Sequence, residues 1–313
     1  MTQKEYCFAT GEVDLASDAD RIYFFNTGSA DAVLLESCGR FALIDGGEDS
    51  DNPRGFSELA FEGTEEYVAE SVRRIAGRKN GEAVIEFVLG THSHSDHIGG
   101  LDTLVLSKGV TVKRVLIKKY DESRIIPYEV TRWDNKEVYE QLVSACLSKN
   151  IPVIHNIPEE KFSFGNFMLK FCNASDVDCS HLVGENENAV GLLVEKGKLR
   201  AFLAADINNH IGCEDKLAYE LGRVNLLKVG HHGYNGSTEL SFVQTLRPEI
   251  AVITNRKGGA SPEVVKNLES IGALVLETGA YGGITAQFDA EEITLYKNLD
   301  KTLGQNENIE KHK

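Results

Sequence analysis

The chain has 313 residues, 33 of them Lys or Arg and 48 Asp or Glu, for a formal charge of −15 with 42% hydrophobic and 26% charged residues. That is the composition of an ordinary soluble globular protein, long enough to bury a core without disulfides or oligomerisation. The acidity disfavours long nucleic acids and anionic lipid, which are read through basic patches, but it leaves room for a local metal site that reverses the sign inside a cleft.

Apolar β-rich runs alternate with helix-period segments, and no repeat or linker interrupts them before a polar tail. This predicts one α+β domain over residues 1–299 and a tail over 300–313. The opening run IYFFNTGSADAVLLESCGRFALIDGG reads as three short strands, with a hairpin turn at Cys38-Gly39-Arg40. TEEYVAESVRRIAGR places Val68, Val72, Ile75 and Ala76 on one helical face behind a Thr64 cap, with Glu65 and Glu66 in the first turn. Strand VIEFVL then runs into GTHSHSDHIGG and a helix through Leu101, Leu104 and Val105. Strand VKRVLIK, a loop with the chain's single tryptophan, Trp133, and a helix from Asn135 to Lys149 follow.

The second half is expected to hold a strand at FMLKFCN, a hairpin in AVGLLVEKGKLRAFLAAD, a helix near Glu214 to Leu221 and strand NLLKVG. After these come a helix beyond Ser237, strand IAVIT, a helix opened by Ser261-Pro262, and strands ALVLE, ITAQFD and EITLY. Two β-rich halves that each carry helices point to two sheets packed face to face with helices outside, a four-layer αββα sandwich. No stretch reaches 18 apolar residues and MTQKEYCFAT lacks the blocks of a secretory signal, so no membrane span is expected. The six cysteines are scattered without a C-x-x-C, which reads as reduced, mostly core residues in a cytoplasmic protein.

The strongest chemical signal is THSHSDHIGG. His92 and His94 are two residues apart, so in extended chain both imidazoles point the same way, while Asp96 and His97 lie where the chain turns into a helix. Three of the chain's nine histidines fall within these six positions, and such donors can seat two adjacent ions of zinc, manganese or iron. Asp206 ends strand RAFLAAD, either as a ligand or as a helix cap before INN. His231-His232 ends NLLKVG, and adjacent strand residues face opposite ways, so one of the two is expected to reach a given metal. Asp45 in LIDGG is read as accepting hydrogen bonds from the His loop and fixing its geometry, with direct ligation or a plain turn role as alternatives.

These motifs, in this order, resemble those of the metallo-β-lactamase-fold hydrolases over roughly Ile22 to Thr254. NTGSADAVLLE and LLKVGHHGYNGS are similar to the competence-type, DNA-uptake branch. IKKYDESRI, TRWDN, IPVIHNI and ADINNHIGCEDK resemble the catalytic module of the phosphorylcholine esterases, which use two zinc ions. The resemblance implies that His92 and His94 hold a first metal, that Asp96, His97 and His232 hold a second, and that Asp206 bridges them, with His231 left to contact substrate phosphate. Relatives often place a third histidine on the first metal, where this chain has ENENAV with Asn186 and Asn188, and His181 falls too early.

Two such dications, zinc foremost, would activate a water for attack on phosphorus, with Asp206 and His231 as the catalytic side chains. No G-x-S-x-G or P-loop suggests a protein nucleophile. The implied substrate is a small-molecule or head-group phosphoester. Trp133, Tyr234 and Asn188 are candidate contacts, and Tyr120, Tyr128 and Tyr281 are further aromatics for a cationic head group. A competence-type nuclease and a thioester or lactone hydrolase are the alternatives on the same donors.

Overall fold

The computed structural model describes residues 7–50, 62–79, 81–175 and 182–304. Its first half contains β1 (Asp20–Phe24), β2 (Val33–Ser37), β3 (Arg40–Ile44), α1 (Glu65–Ala76) and β4 (Ala83–Gly90). Then come α2 (Ser95–Ile98), α3 (Leu101–Leu106), β5 (Val110–Val112), β6 (Val115–Ile117), α4 (Pro127–Arg132), α5 (Asn135–Ser148) and β7 (Val153–Ile154). The second half runs through β8 (Phe162–Phe164), β9 (Phe167–Cys172), β10 (Gly191–Lys196), β11 (Leu199–Leu203), α6 (Cys213–Leu221), β12 (Leu226–Lys228) and α7 (Leu240–Leu246). It ends with β13 (Ile250–Ile253), α8 (Pro262–Ser270), β14 (Leu274–Glu277), α9 (Thr278–Tyr281), β15 (Ile284–Phe288), β16 (Ile293–Lys297) and α10 (Leu299–Thr302).

Each sheet buries both faces, which is why its strands read as near-continuous apolar runs. In the first sheet, Ile22, Phe24, Leu35, Ile44 and Phe87 point into an inter-sheet core and meet Phe164, Phe171, Leu192 and Val252 of the second. The alternate residues Tyr23, Leu34, Leu43 and Val88 face α1, α3 and α5. On the far side Leu193, Phe202, Leu227 and Ala251 face α6, α7 and α8. The result is the expected αββα sandwich. The hairpin between β2 and β3 turns on Cys38 and Gly39, both at positive φ, as a right-twisted two-residue turn requires.

Some expectations are corrected. The sheets do not follow the halves of the chain, because β15 and β16 return to pair beside β1, giving the order β16-β15-β1-β2-β3-β4-β6-β7. The second sheet is β14-β13-β12-β11-β10-β9-β8. Thr64 precedes α1 without capping it, since its hydroxyl turns to Glu48 O at 3.4 Å. The loop around Trp133 contains the helix α4. Residues 300–304, assigned to the tail, pack back: Leu303 is buried and Asp300 accepts from Tyr67 Oη at 2.5 Å. Cys146, Cys172 and Cys213 are buried while Cys7 and Cys38 are exposed, and Cys179 lies outside the described residues. Among the described residues no helix is long and apolar enough to cross a membrane.

Strands β3 and β4 run parallel, as do β11, β12 and β13. Their carboxyl ends bring Asp45, Thr91–His97, Asp206, His231-His232 and Thr254 to one rim of the sandwich, the edge where such sheets present ligand-binding loops.

Candidate metal centre

The His loop is held by backbone contacts that only glycine permits. Gly46 N–H donates to His97 O at 2.6 Å and Gly100 N–H to Gly47 O at 3.0 Å. A β-carbon on Gly100 would lie 2.2 Å from Gly46 O. His94 is the last extended residue before α2, and His97 lies inside that helix.

Each of four histidines has one ring nitrogen tied outward and the other turned inward. Thr91 Oγ1 gives its proton to Asp45 Oδ2 at 2.8 Å and can accept from His92 Nδ1 at 3.1 Å. His97 Nδ1 donates to Asp45 Oδ2 at 2.8 Å, and His232 Nδ1 to Thr254 O at 3.2 Å. His94 Nε2 reaches Glu129 Oε2 at 3.2 Å. The inward atoms converge: His92 Nε2 is 3.0 Å from His94 Nδ1, and His97 Nε2 is 3.2 Å from His232 Nε2. Asp206 Oδ1 lies 3.1 Å from His97 Nε2 and 3.4 Å from His232 Nε2, and its Oδ2 is 4.0 Å from His92 Nε2. Asp96 Oδ2 is 3.1 Å from His232 Nε2.

This arrangement suits divalent metal. When the rings are neutral and their outward nitrogens donate, the inward nitrogens turn lone pairs toward one another at contact distance, a repulsion that a metal ion or a proton between them relieves. Asp206 Oδ1 is buried beside two of them and makes no aligned hydrogen bond. The field has the same sign. Burial lowers the His232 pKa, but Asp206 and Asp31 push it up to about 10, and Asp206, Asp96 and Asp45 likewise hold His97 well above the usual histidine range. His92, deeply buried beside His97 and His94, is held well below it. Two groups of ligand-type side chains share Asp206: His92 and His94 on one side, and Asp31, His97 and His232 on the other, with Asp96 Oδ2 beside His232 Nε2.

Asp31, in the turn between β1 and β2, is a participant that sequence reasoning missed. It falls within one cluster of metal-ligand types with His97, Asp206 and His232, but its oxygens face the outward Nδ1 atoms of His232 at 3.4 Å and His97 at 3.8 Å. It therefore supports the rings from behind. Thr254 Oγ1 donates to it at 2.5 Å and the buried Lys228 ammonium pairs with it. Burial would raise the Asp31 carboxyl, yet Lys228 and His232 hold it below the usual carboxylate range. Asp31 sits in the quoted NTGSADAV run and Lys228 in LLKVGHHG, but neither has a local partner to mark it.

His231 and His232 are not extended, contrary to expectation: both have positive φ, 48° and 50°, in the turn Gly230–Gly233. Two consecutive left-handed residues without glycine carry strain on the order of 1–3 kcal/mol each, and Ala205 and Asp45 share the feature. The turn sends His232 inward and leaves His231 at the edge, 28% exposed, with Nε2 3.8 Å from Asp206 Oδ2. Asn186 Nδ2 is 3.3 Å from that nitrogen. Asn188 turns instead to Glu185, so the amide that reaches His231 is Asn186. His181 lies outside the described residues.

Trp133 meets the His94 ring edge-on at 4.7 Å, and Tyr128 stands 6.1 Å from Trp133. Tyr234 is 5.5 Å from His231, its hydroxyl 2.8 Å from Ser29 Oγ. Tyr120 packs on Tyr139, and Tyr281 on Phe8 beside the inter-sheet core.

Residues 26–132 match the family profile described as metallo-beta-lactamase superfamily. Those residues carry the sequence pattern of that superfamily. The metallo-beta-lactamase fold protein YhfI from Bacillus subtilis superposes with a TM-score of 0.55 at 12% identity, covering 87% of this chain and 100% of that one. ComE operon protein 3 of Bacillus subtilis (strain 168) is 25% identical over 212 residues, 65% of this chain and 25% of its own length. Recombination protein 2 of Haemophilus influenzae is 23% identical over 177 residues, 50% of this chain and 22% of its own. The chain thus spans about a quarter of the length of these curated relatives, which agree with the competence-type resemblance of the motifs.

Proposed function

We propose that the protein is a binuclear metal-dependent hydrolase of phosphoesters, with a phosphodiesterase or phosphorylcholine-esterase type of substrate. The observation that carries this reading is the pair of donor sets joined at Asp206, with His231, Asn186, Tyr234 and Trp133 along their edge. Divalent ions bound there would supply Lewis acidity, polarising a phosphoryl oxygen and lowering the pKa of water towards neutrality. Asp206 would hold both ions with one carboxylate. Burial holds His231 below the usual histidine range, so it stands near neutral pH as an uncharged imidazole able to hydrogen-bond a phosphoryl oxygen or carry a proton for the leaving group.

The head group is read from the wall beside His94. Trp133 lies against that ring, and Glu129, Glu185 and Glu187 are buried nearby on α4 and the turn Glu185–Asn188. An aromatic face beside carboxylates favours an organic cation, at about 0.5–2 kcal/mol per good cation–π contact. The competence-type resemblance of the motifs, with which the likeness to ComE operon protein 3 and Recombination protein 2 agrees, favours a second reading, a metal-dependent nuclease.

A screen of zinc- and manganese-loaded protein against bis(p-nitrophenyl) phosphate, p-nitrophenylphosphorylcholine, single-stranded DNA, thioesters and lactones separates these readings. Turnover of the phosphorylcholine ester is the expected result, with His94→Ala and Asp206→Asn each losing at least about a hundredfold. A loss of less than about tenfold in either variant would overturn the site assignment. Faster cleavage of DNA than of small esters would install the nuclease.

A further inference from the structure

A metal-binding histidine is only as well placed as whatever holds the far edge of its ring. For His92, His97 and His232 that partner lies at the end of a sheet strand: Thr91 after β4, Asp45 after β3 and Thr254 after β13. His94 is held differently. Its partner Glu129 lies on α4, between β6 and α5, and is buried at 5% exposure. Glu129 Oε2 takes His94 Nε2 at 3.2 Å, Asn135 Nδ2 at 3.2 Å and the Glu185 backbone N–H at 3.1 Å. Glu185 in turn accepts from Ser93 N–H at 3.2 Å, one residue before His94. Trp133, the residue that ends α4, covers the same ring. The network is closed, running from the His loop to α4, on to the turn at Glu185, and back to the His loop.

We propose that Glu129 positions His94, holding its ring through Nε2 so that Nδ1 faces His92 and Asp206, and thereby sets the affinity of that donor set without touching the other. This rests on the reading of His92, His94 and Asp206 as metal donors. A carboxylate oxygen that accepts three hydrogen bonds is itself immobilised, so the ring it holds has no freedom to rotate away. Glutamine keeps an acceptor oxygen at the same place while losing the charge. Alanine removes the tie altogether.

Two measurements on Glu129→Ala and Glu129→Gln test the proposal. In metal-free protein, NMR is expected to show an exchange-protected His94 Nε2–H in the wild type and in Glu129→Gln, and to lose it in Glu129→Ala. In zinc titrations against a chromophoric chelator, with the two steps assigned by His92→Ala and His232→Ala, Glu129→Ala is expected to weaken the His92/His94 step by about 10–100-fold. The other step stays within about threefold, and Glu129→Gln recovers most of the loss. Wild-type affinity at both steps in Glu129→Ala would overturn the proposal, as would an equal fall at both steps in both variants. A wild-type protein that takes up no zinc would overturn the donor reading itself, and the metal-free NMR signal distinguishes that failure from an idle Glu129.

Discussion

Asp45, Asp31, Asp96 and Asp206 all lie within a few ångströms of His97 or His232, and what separates their roles is the side of the ring each one faces. Asp45 and Asp31 meet the Nδ1 edges, whereas Asp206 and Asp96 meet the Nε2 edges. Lys228 pairs with Asp31 behind the rings, whereas Asp206 and Asp96 meet only histidine nitrogens among their ion pairs in the described residues. Outside this centre, Glu214 shows how burial shapes a carboxyl that no metal concerns. Burial raises it to about 7, against the backbone N–H groups of Glu239 and Thr238 that stabilise its charge. The folded chain therefore keeps a proton that the unfolded chain releases near the ordinary glutamate value of 4.5. Between those pH values the native state binds more protons, so stability from this group is present below pH 4.5 and falls as pH rises to about 7. Chemical denaturation of metal-free protein at pH 5 and pH 8 should show the wild type losing on the order of 3 kcal/mol more than Glu214→Gln across that interval. Parallel losses in the two proteins would refute it.

At the scale of elements, the site depends on two glycine-bearing turns pressed together. Gly100 has an ordinary φ of −79°, so replacing it strains no dihedral, but a β-carbon would strike Gly46 O and approach Glu65 Cα at 3.1 Å. Gly100→Ala must then push the His loop away from the turn after Asp45. The expected outcome is a loss of about 1–3 kcal/mol in denaturant titrations, together with weakened zinc uptake. Full zinc affinity with unchanged stability would show that the loops can part without cost. Such local features were legible in the sequence. The β2–β3 hairpin, the amphipathic α1, the His loop and the strand-end position of Asp206 all follow from residues a few positions apart. What escaped is non-local or short. Asp31 acquires its meaning only from Lys228 and Thr254, and Glu129 only from His94 and Glu185. At six residues, α4 is too brief to show a period. The extended reading of His231-His232 failed because tertiary contacts, including His231 N–H to Ala205 O at 3.0 Å, hold two consecutive residues in a conformation their side chains do not favour. The return of β15 to β1 pairs Phe24 with Ile284, a register that no local pattern encodes.

At the scale of the whole molecule, a charge of −15 surrounds a His/Asp cluster that, on the binuclear reading, would hold two dications. The two fields have different ranges. The metal charges would act at contact, inside a rim of buried groups, while the diffuse negative surface acts over a Debye length, about 30 Å at 10 mM salt and about 8 Å at 150 mM. An anionic substrate is repelled on approach and attracted only on arrival, so salt should help it. A zwitterionic phosphorylcholine ester carries no net charge and should feel little of the outer field. On the phosphoester reading, raising ionic strength from about 10 to about 150 mM should increase kcat/KM for bis(p-nitrophenyl) phosphate about two- to fivefold, and leave p-nitrophenylphosphorylcholine within about a factor of two. Single-stranded DNA separates the readings most sharply. A nuclease that grips the backbone through basic side chains loses affinity with salt because releasing counterions gains less free energy, whereas an acidic hydrolase that merely tolerates DNA gains from screening. A steep fall of DNA cleavage with salt would mean that a basic track exists on this surface despite the net charge, and would move the assignment to the nuclease.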